Sequence, residues 1–174
     1  MAPHEQGNLS EEELQYKKKA LEWMAQEGGY MSIQTTRPQT LAYGLSDSPA
    51  GLAGWILEKF QVWSDCGGDL RQSFSEDELI THIMVYWLTN TVGSTAHMYY
   101  ENSHSLPPLS YIEVPTGIAL FPADVLLPPK DWAMRKLNIT RWTSMTRGGH
   151  FTAMEEPEQL AEDIRSFFKP LRGN

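Results

Sequence analysis

Only two stretches of this 174-residue chain read as buried β-strands, and that scarcity constrains the fold more than any other feature. Residues 114–121 form a short apolar run, and residues 139–145 alternate apolar and polar side chains, which is the period of a strand. Pro128 and Pro129 break the chain between them, and a helical turn is expected from Trp132 to Lys136. Strand, helix and strand in succession imply a parallel pair and an α/β fold. Two parallel strands cannot cover both their faces and their edges, so a sheet built from these segments alone is incomplete.

Everything before Pro107 and Pro108 reads as helix or connector. Ser10 with Glu13 three residues on has the spacing of a capping box, and Leu14, Leu21 and Met24 share one face of the helix that follows, which ends at Gly28-Gly29. Residues 29–37 are expected to connect, Pro38 to open a short helix through Leu45, and Ser48-Pro49 to start a helix running to Trp63. A polar loop over 64–73 leads to a second capping box, Ser75 with Glu78, and a strongly apolar helix. A further helical piece covers 94–101, and Pro157 opens the last helix, with Leu160, Ile164, Phe167 and Phe168 at helical spacing. Three parts follow: 1–27 as a leading helix, 28–106 as a helical layer, and 107–174 as the α/β part.

The formal net charge of −8 argues against a nucleic-acid partner, and Lys17-Lys18-Lys19 reads as a solvated helix face. Cys66 is the sole cysteine, which rules out an intramolecular disulfide and a multi-cysteine zinc site. His4, His82, His97, His104 and His150 show no ligand spacing, so no metal or other cofactor is expected. His82 and His97 are read as helix-surface or core hydrogen-bonding residues. No apolar run approaches a membrane span, and Met1 to Asn8 is polar without the pattern of a signal peptide, so a cytoplasmic location is expected.

Chemistry enters with Asp124, just past the first strand, and His150, just past the second. In open α/β sheets functional groups gather beyond the carboxyl ends of strands. An acid and then a histidine, 150 − 124 = 26 residues apart, follow the α/β-hydrolase chain order of nucleophile, acid and histidine. The acid would orient the imidazole, and the imidazole would activate water or a nucleophile. Gly148 and Gly149 let the backbone turn sharply just before the ring. On spacing alone the bland alternatives stay open: His150 as a surface residue, Asp124 as a turn or cap residue, Tyr30 and Tyr99 as packing residues with a polar tip. Trp55, Trp63 and Trp87 fit an apolar pocket or a core.

Four segments, "GYMSIQTTRPQTLAYGLSDSPAGLAGWILEKFQVWSD", "FSEDELITHIMVYWLTNTVGSTAHMYYEN", "VPTGIALFPADVLLPP" and "MTRGGHFTAMEEPEQLAEDIRSFF", together cover about Gly28 to Phe168. In this order they resemble the C-terminal half of α/β-hydrolase epoxide hydrolases of the microsomal and fungal branch. The resemblance implies a helical cap followed by the last strands and helices of a mostly parallel sheet. It implies that Tyr30 and Tyr99, with Tyr100 as the alternative to the latter, donate hydrogen bonds to the epoxide oxygen. Asp124 is then the orienting acid and His150 the water-activating base. The substrate implied is a small apolar epoxide, and water the co-substrate. The family's nucleophilic aspartate and oxyanion hole have no counterpart here: Gly67-Gly68-Asp69 lies in a polar loop without a strand-turn-helix frame. The expected partner is therefore a nucleophile-bearing N-terminal half, the alternatives being a binding module without chemistry and a swapped homo-oligomer.

Overall fold

A computed structural model describes residues 9–105, 107 and 110–172. The readings placed on Met1 to Asn8, including His4, and on Pro108 lie outside the described residues. Among the described residues six α-helices come first: α1 (Glu11–Glu27), α2 (Gly29–Thr36), α3 (Pro38–Asp47), α4 (Pro49–Trp63), α5 (Glu76–Thr89) and α6 (Val92–His104). Then follow β1 (Ile112–Leu120), α7 (Lys130–Met134), β2 (Leu137–Ser144), α8 (Thr152–Glu155) and α9 (Pro157–Phe168).

Both capping boxes form. The Ser10 hydroxyl accepts from Glu13 N–H at 3.2 Å, and the Glu13 carboxylate accepts from Ser10 N–H at 2.8 Å. Ser75 and Glu78 repeat the arrangement at the start of α5. Glu13 does more than cap: it is 2% exposed and pairs through Oε1 with Arg135 Nη2, 2.6 Å away at the end of α7. At its other end α1 places Glu27 2.9 Å from Lys59 Nζ of α4. So α1 is held to the sheet side by one carboxylate and to the helical layer by another, while Leu14 and Leu21 face outward, 55% and 71% exposed.

The connector expected over 29–37 is instead a helix, α2. Gly29 at its start and its three threonine or serine side chains give it little intrinsic preference for that state. Packing supplies the rest: α2 lies against α6, Tyr30 stacks on Trp55 of α4 at 4.8 Å, and Gln34 is buried. Thr36 returns its hydroxyl to Ser32 O at 2.6 Å, which satisfies a carbonyl near the helix end. The loop over 64–73 contains one 3-10 turn, Leu70–Gln72, capped by Asp69 Oδ1 accepting from Arg71 N–H at 3.1 Å. Asp69 is thus a cap residue.

The helical layer has two apolar centres. Leu45, Leu52, Ile83 and Val92 form one, with Trp87 packed against it; Phe60, Phe74 and Leu79 form the other. The strands pair in parallel, from Ile112 opposite Leu137 to Leu120 opposite Ser144, with irregularities on either side of Pro115 and Thr116. Pro115 has no N–H to give to a ladder, which accounts for the break in register beside it. α9 closes on β1 at Gly117, where an added Cβ would lie 2.8 Å from the Phe167 ring. Arg141 of β2 donates to buried Asp163 of α9 through Nε at 2.8 Å. No helix among the described residues is long and apolar enough to cross a membrane.

Candidate active site

The loops after β1 and β2 lie side by side. Ala123 N–H donates to Gly148 O at 3.0 Å, and Met145 N–H to Leu120 O at 2.8 Å, so the strand ladder continues into the loops. This stitching brings Asp124 and His150 together: His150 Nδ1 is 2.8 Å from Asp124 Oδ1. The same carboxylate oxygen accepts from Val125 N–H at 2.7 Å, which fixes its direction.

His150 is held from behind as well. Its own N–H donates to Trp63 O at 2.8 Å, and its ring meets the Trp63 indole edge-on at 5.3 Å. Gly148 has φ of 104°, in the left-handed region. Gly149 presses its α-carbon against the end of α4, where a Cβ would stand 2.6 Å from Trp63 O and 2.8 Å from Asp65 N. The Gly-Gly pair therefore serves two needs, a backbone turn and a close approach to α4.

The imidazole faces a cavity of about 140 Å³ whose wall includes Tyr30, Trp55, Lys59, Phe60, Trp63, Tyr99 and Phe151. Asp124 does not line this cavity; it opens on a separate groove beside α1. The acid thus supports the imidazole from outside the space the imidazole faces. Tyr30 of α2 and Tyr99 of α6 meet edge to face across the cavity with ring centroids 6.0 Å apart. Tyr100 turns away and stacks on His104 at 4.2 Å. Trp55 and Trp63 are cavity wall, whereas Trp87 is core.

Protonation follows from these contacts. Hydrogen bonding to Asp124 lifts the His150 pKa above 6.5, against the pull of burial and with help from the charges of Asp124 and Glu155. Burial pushes the Asp124 carboxyl up, but the His150 hydrogen bond, the Val125 N–H and the imidazolium charge outweigh it and leave the pKa below 3.8. Burial, then the neighbouring Tyr99, pushes Tyr30 to about 12. A phenol so placed keeps its proton at neutral pH and remains a donor.

Other residues of the site carried no sequence signal. Lys59 is 12% exposed along its side chain, pairs with Glu27 and Glu58, and lies 5.6 Å from the Tyr30 ring centroid and 5.1 Å from that of Trp63. His82 lines the cavity edge-on to Phe60 and Tyr86, and burial lowers its pKa. His97 is on the surface beside Gln39. Asp65 and Glu155 accept backbone N–H groups of the histidine loop. No three His, Cys, Asp or Glu side chains converge as a metal site among the described residues.

Compared with models of known protein families, the chain matches none. Individual proteins do match. Epoxide hydrolase 1 of Sus scrofa is 44% identical over 162 residues, 86% of this chain. The structure of Aspergillus niger epoxide hydrolase superposes on 98% of the chain with a TM-score of 0.81 at 29% identity. The chain is similar, over nearly its whole length, to part of the α/β-hydrolase epoxide hydrolases. Juvenile hormone epoxide hydrolase of Bombyx mori, at 34% identity and a TM-score of 0.79 over 86% of the chain, has the same fold. This epoxide hydrolase homologue spans well under half the length of these relatives: 36% of the Sus scrofa protein, 43% of the Aspergillus niger chain and 41% of the Bombyx mori chain. Its two parallel strands and the helices around them therefore correspond to part of a larger sheet and cap.

Proposed function

We propose that this chain supplies the oxygen-binding and water-activating groups for hydrolysis of an epoxide to a vicinal diol. The observation that carries the reading is convergence: Tyr30, Tyr99 and His150 line one cavity, with Asp124 2.8 Å behind the imidazole. In this reading residues 28–106 act as the cap and residues 107–174 as part of the catalytic core, with 1–27 leading into the cap. A carboxylate attacks one oxirane carbon, forming an ester bond as the C–O bond breaks. Tyr30 and Tyr99 donate hydrogen bonds to the departing oxygen, one of them passing it a proton. His150 then takes a proton from water through Nε2 as the water oxygen adds to the ester carbonyl; the adduct collapses with cleavage of its C–O bond to the glycol, the imidazolium gives its proton to the leaving oxygen, and the proton of the carboxylic acid left behind returns to the phenolate, so that diol is released with carboxylate, histidine and tyrosines restored. Asp124 stabilises the imidazolium formed in that step.

The attacking carboxylate comes from elsewhere in this reading, because no aspartate or glutamate is among the residues lining the cavity. Its source is a nucleophile-bearing core segment, within a longer polypeptide or on a separate one; a second copy of this chain is the alternative partner. The aromatic wall of Trp55, Phe60, Trp63 and Phe151 favours a small apolar epoxide. The test is reconstitution. The chain is co-expressed with the portion of a relative that it does not match, and diol formation from an apolar epoxide is measured. Turnover is expected, and His150→Ala in the complex should trap the ester, visible as a mass increase on the partner, while slowing turnover by about 10²–10⁴-fold. A folded complex that binds epoxide and forms neither ester nor diol overturns the reading in favour of a binding module.

A further inference from the structure

Four consecutive backbone N–H groups, those of Gly148, Gly149, His150 and Phe151, lead into and out of the histidine, and each has an acceptor. Gly148 donates to Asp65 Oδ2 at 2.9 Å, and His150 to Trp63 O at 2.8 Å. The other two go to one side chain: Glu155 Oε2 accepts from Gly149 at 3.0 Å, and Glu155 Oε1 from Phe151 at 2.8 Å. Glu155 Oε2 accepts a third N–H, that of Asp65, at 2.7 Å, from a residue 90 positions earlier in the chain.

We propose that Glu155 is a positioning residue for His150, a single carboxylate that fixes the histidine loop and fastens it to the end of α4. A local role is the simplest alternative. Phe151 precedes α8, and a glutamate that reaches back to Phe151 N–H resembles an ordinary helix cap. That role engages only Oε1. The contacts of Oε2 run to the glycine before the histidine and to the segment after α4, neither of which belongs to α8. Hydrogen bonds to an ionised acceptor are stronger than neutral ones, and three on one carboxylate hold its own direction as well as those of its donors.

The arrangement has two consequences for the imidazole. One is geometric: with Gly149 and Phe151 both anchored on Glu155, the backbone on either side of His150 has one fixed path. The other is electrostatic, since the Glu155 charge favours the imidazolium. The charged and titratable groups around His150 are Asp124 from the loop after β1, Glu155 from α8, Asp65 from the segment after α4, and Lys59, Tyr30, Tyr99, His82 and Tyr86 around the cavity. Asp65 accepts from the loop's backbone on one side of His150, at Gly148, whereas Glu155 accepts on both sides, at Gly149 and Phe151.

The positioning role is read directly in the isolated 174-residue chain, so it stands or falls apart from the epoxide reading; only its catalytic consequence rests on that reading. The His150 ring is titrated by NMR, and amide exchange is followed in wild type, Glu155→Gln and Glu155→Asp. Glu155→Gln replaces one acceptor oxygen with an NH₂ group facing N–H donors. Protection of Gly149 or Phe151, or both, should then fall about 10- to 100-fold with that of Gly148 kept, and the His150 midpoint should move down. Glu155→Asp keeps the charge and shortens the reach, so loop protection falls while the midpoint moves less than in Glu155→Gln. A merely structural glutamate would lower protection throughout the molecule and leave the midpoint where it was. That result, or unchanged loop protection in both variants, overturns the proposal; if Glu155→Gln fails to fold, Glu155→Asp with unchanged protection at Asp65, Gly149 and Phe151 does so alone.

Discussion

Gly149→Ala is the sharpest single test of how the histidine is seated. The new methyl would stand 2.6 Å from Trp63 O, 2.8 Å from Asp65 N and 2.9 Å from Ser64 C. All three are backbone atoms at the end of α4, so no side chain can swing aside. Restoring an ordinary contact of 3.4 Å requires a separation of about 0.8 Å between the two segments (3.4 − 2.6). The His150 N–H to Trp63 O bond, 2.8 Å long, spans the same gap, and opened by the full separation it would reach roughly 3.6 Å and cease to be a hydrogen bond. The bonds from Gly149 and Asp65 to Glu155 lie in the same seam and weaken with it. Losing one neutral bond and weakening two charge-assisted ones costs about 2–4 kcal/mol. For a chain of this size the melting temperature should fall by roughly 5–15 °C. Gly44→Ala is the control: nothing lies within 4 Å of its added Cβ inside α3, and a helix-interior alanine should stabilise by about 0.5–1 kcal/mol. Circular dichroism melts of both variants, with exchange of the His150 amide, give the answer. If Gly149→Ala melts within a degree of wild type with His150 N–H still protected, the close approach of the two segments is refuted.

Arg135→Ala should destabilise the chain by about 3 kcal/mol and Glu13→Ala by only about 1–2, because the former strands a carboxylate that is 2% exposed and the latter frees a guanidinium that is 43% exposed; denaturant melts would show the order, and a reversed order would refute it. The His150–Asp124 pair has its own pH window. The raised histidine pKa gives stability that is full below 6.5 and lost as pH rises through the folded value; the lowered aspartate pKa gives stability that is present above 3.8 and lost as pH falls through the folded value. The pair should therefore contribute most between pH 3.8 and 6.5, by less than about 1 kcal/mol because both side chains are partly exposed, and Asp124→Asn should flatten that part of the stability profile. Tyr30→Phe should remove the phenol transition near pH 12 from an ultraviolet titration, and a transition that persists there would place another tyrosine in the buried position.

What the sequence made legible was what local chemistry decides. Ser10 with Glu13 and Ser75 with Glu78 marked helix starts because a capping box is satisfied within four residues. The parallel pairing of β1 and β2 followed from the helix between them, and the meeting of Asp124 with His150 followed from their places just past two adjacent strands. α2 was missed because its own residues barely favour a helix; its contacts with α6 and Trp55 decide its state, and those partners are distant in sequence. The same limit hid Glu155 and Lys59. One accepts from Asp65, 90 residues away, and the other pairs with Glu27, 32 residues away, and neither spacing has a pattern to read. Burial inverted the apparent pattern in α1 and α9: Glu13 and Asp163 are buried, whereas Leu21 and Ile164 are exposed, because each buried acid has an arginine waiting outside its own helix.

The two carboxylates that tether α1 give that helix a definite length. Glu13 and Glu27 are 14 positions apart, just under four turns, so both point to nearly the same side at about 21 Å from one another. Lys59 in the helical layer and Arg135 beside the sheet are thereby gauged against a single rigid rod. Inserting one residue between the two acids would rotate one of them by roughly 100° and forfeit one tether. Inserting four would restore the facing but lengthen the rod by about 6 Å, forcing cap and sheet to stand farther apart and opening the hollow that Tyr30, Tyr99 and His150 share.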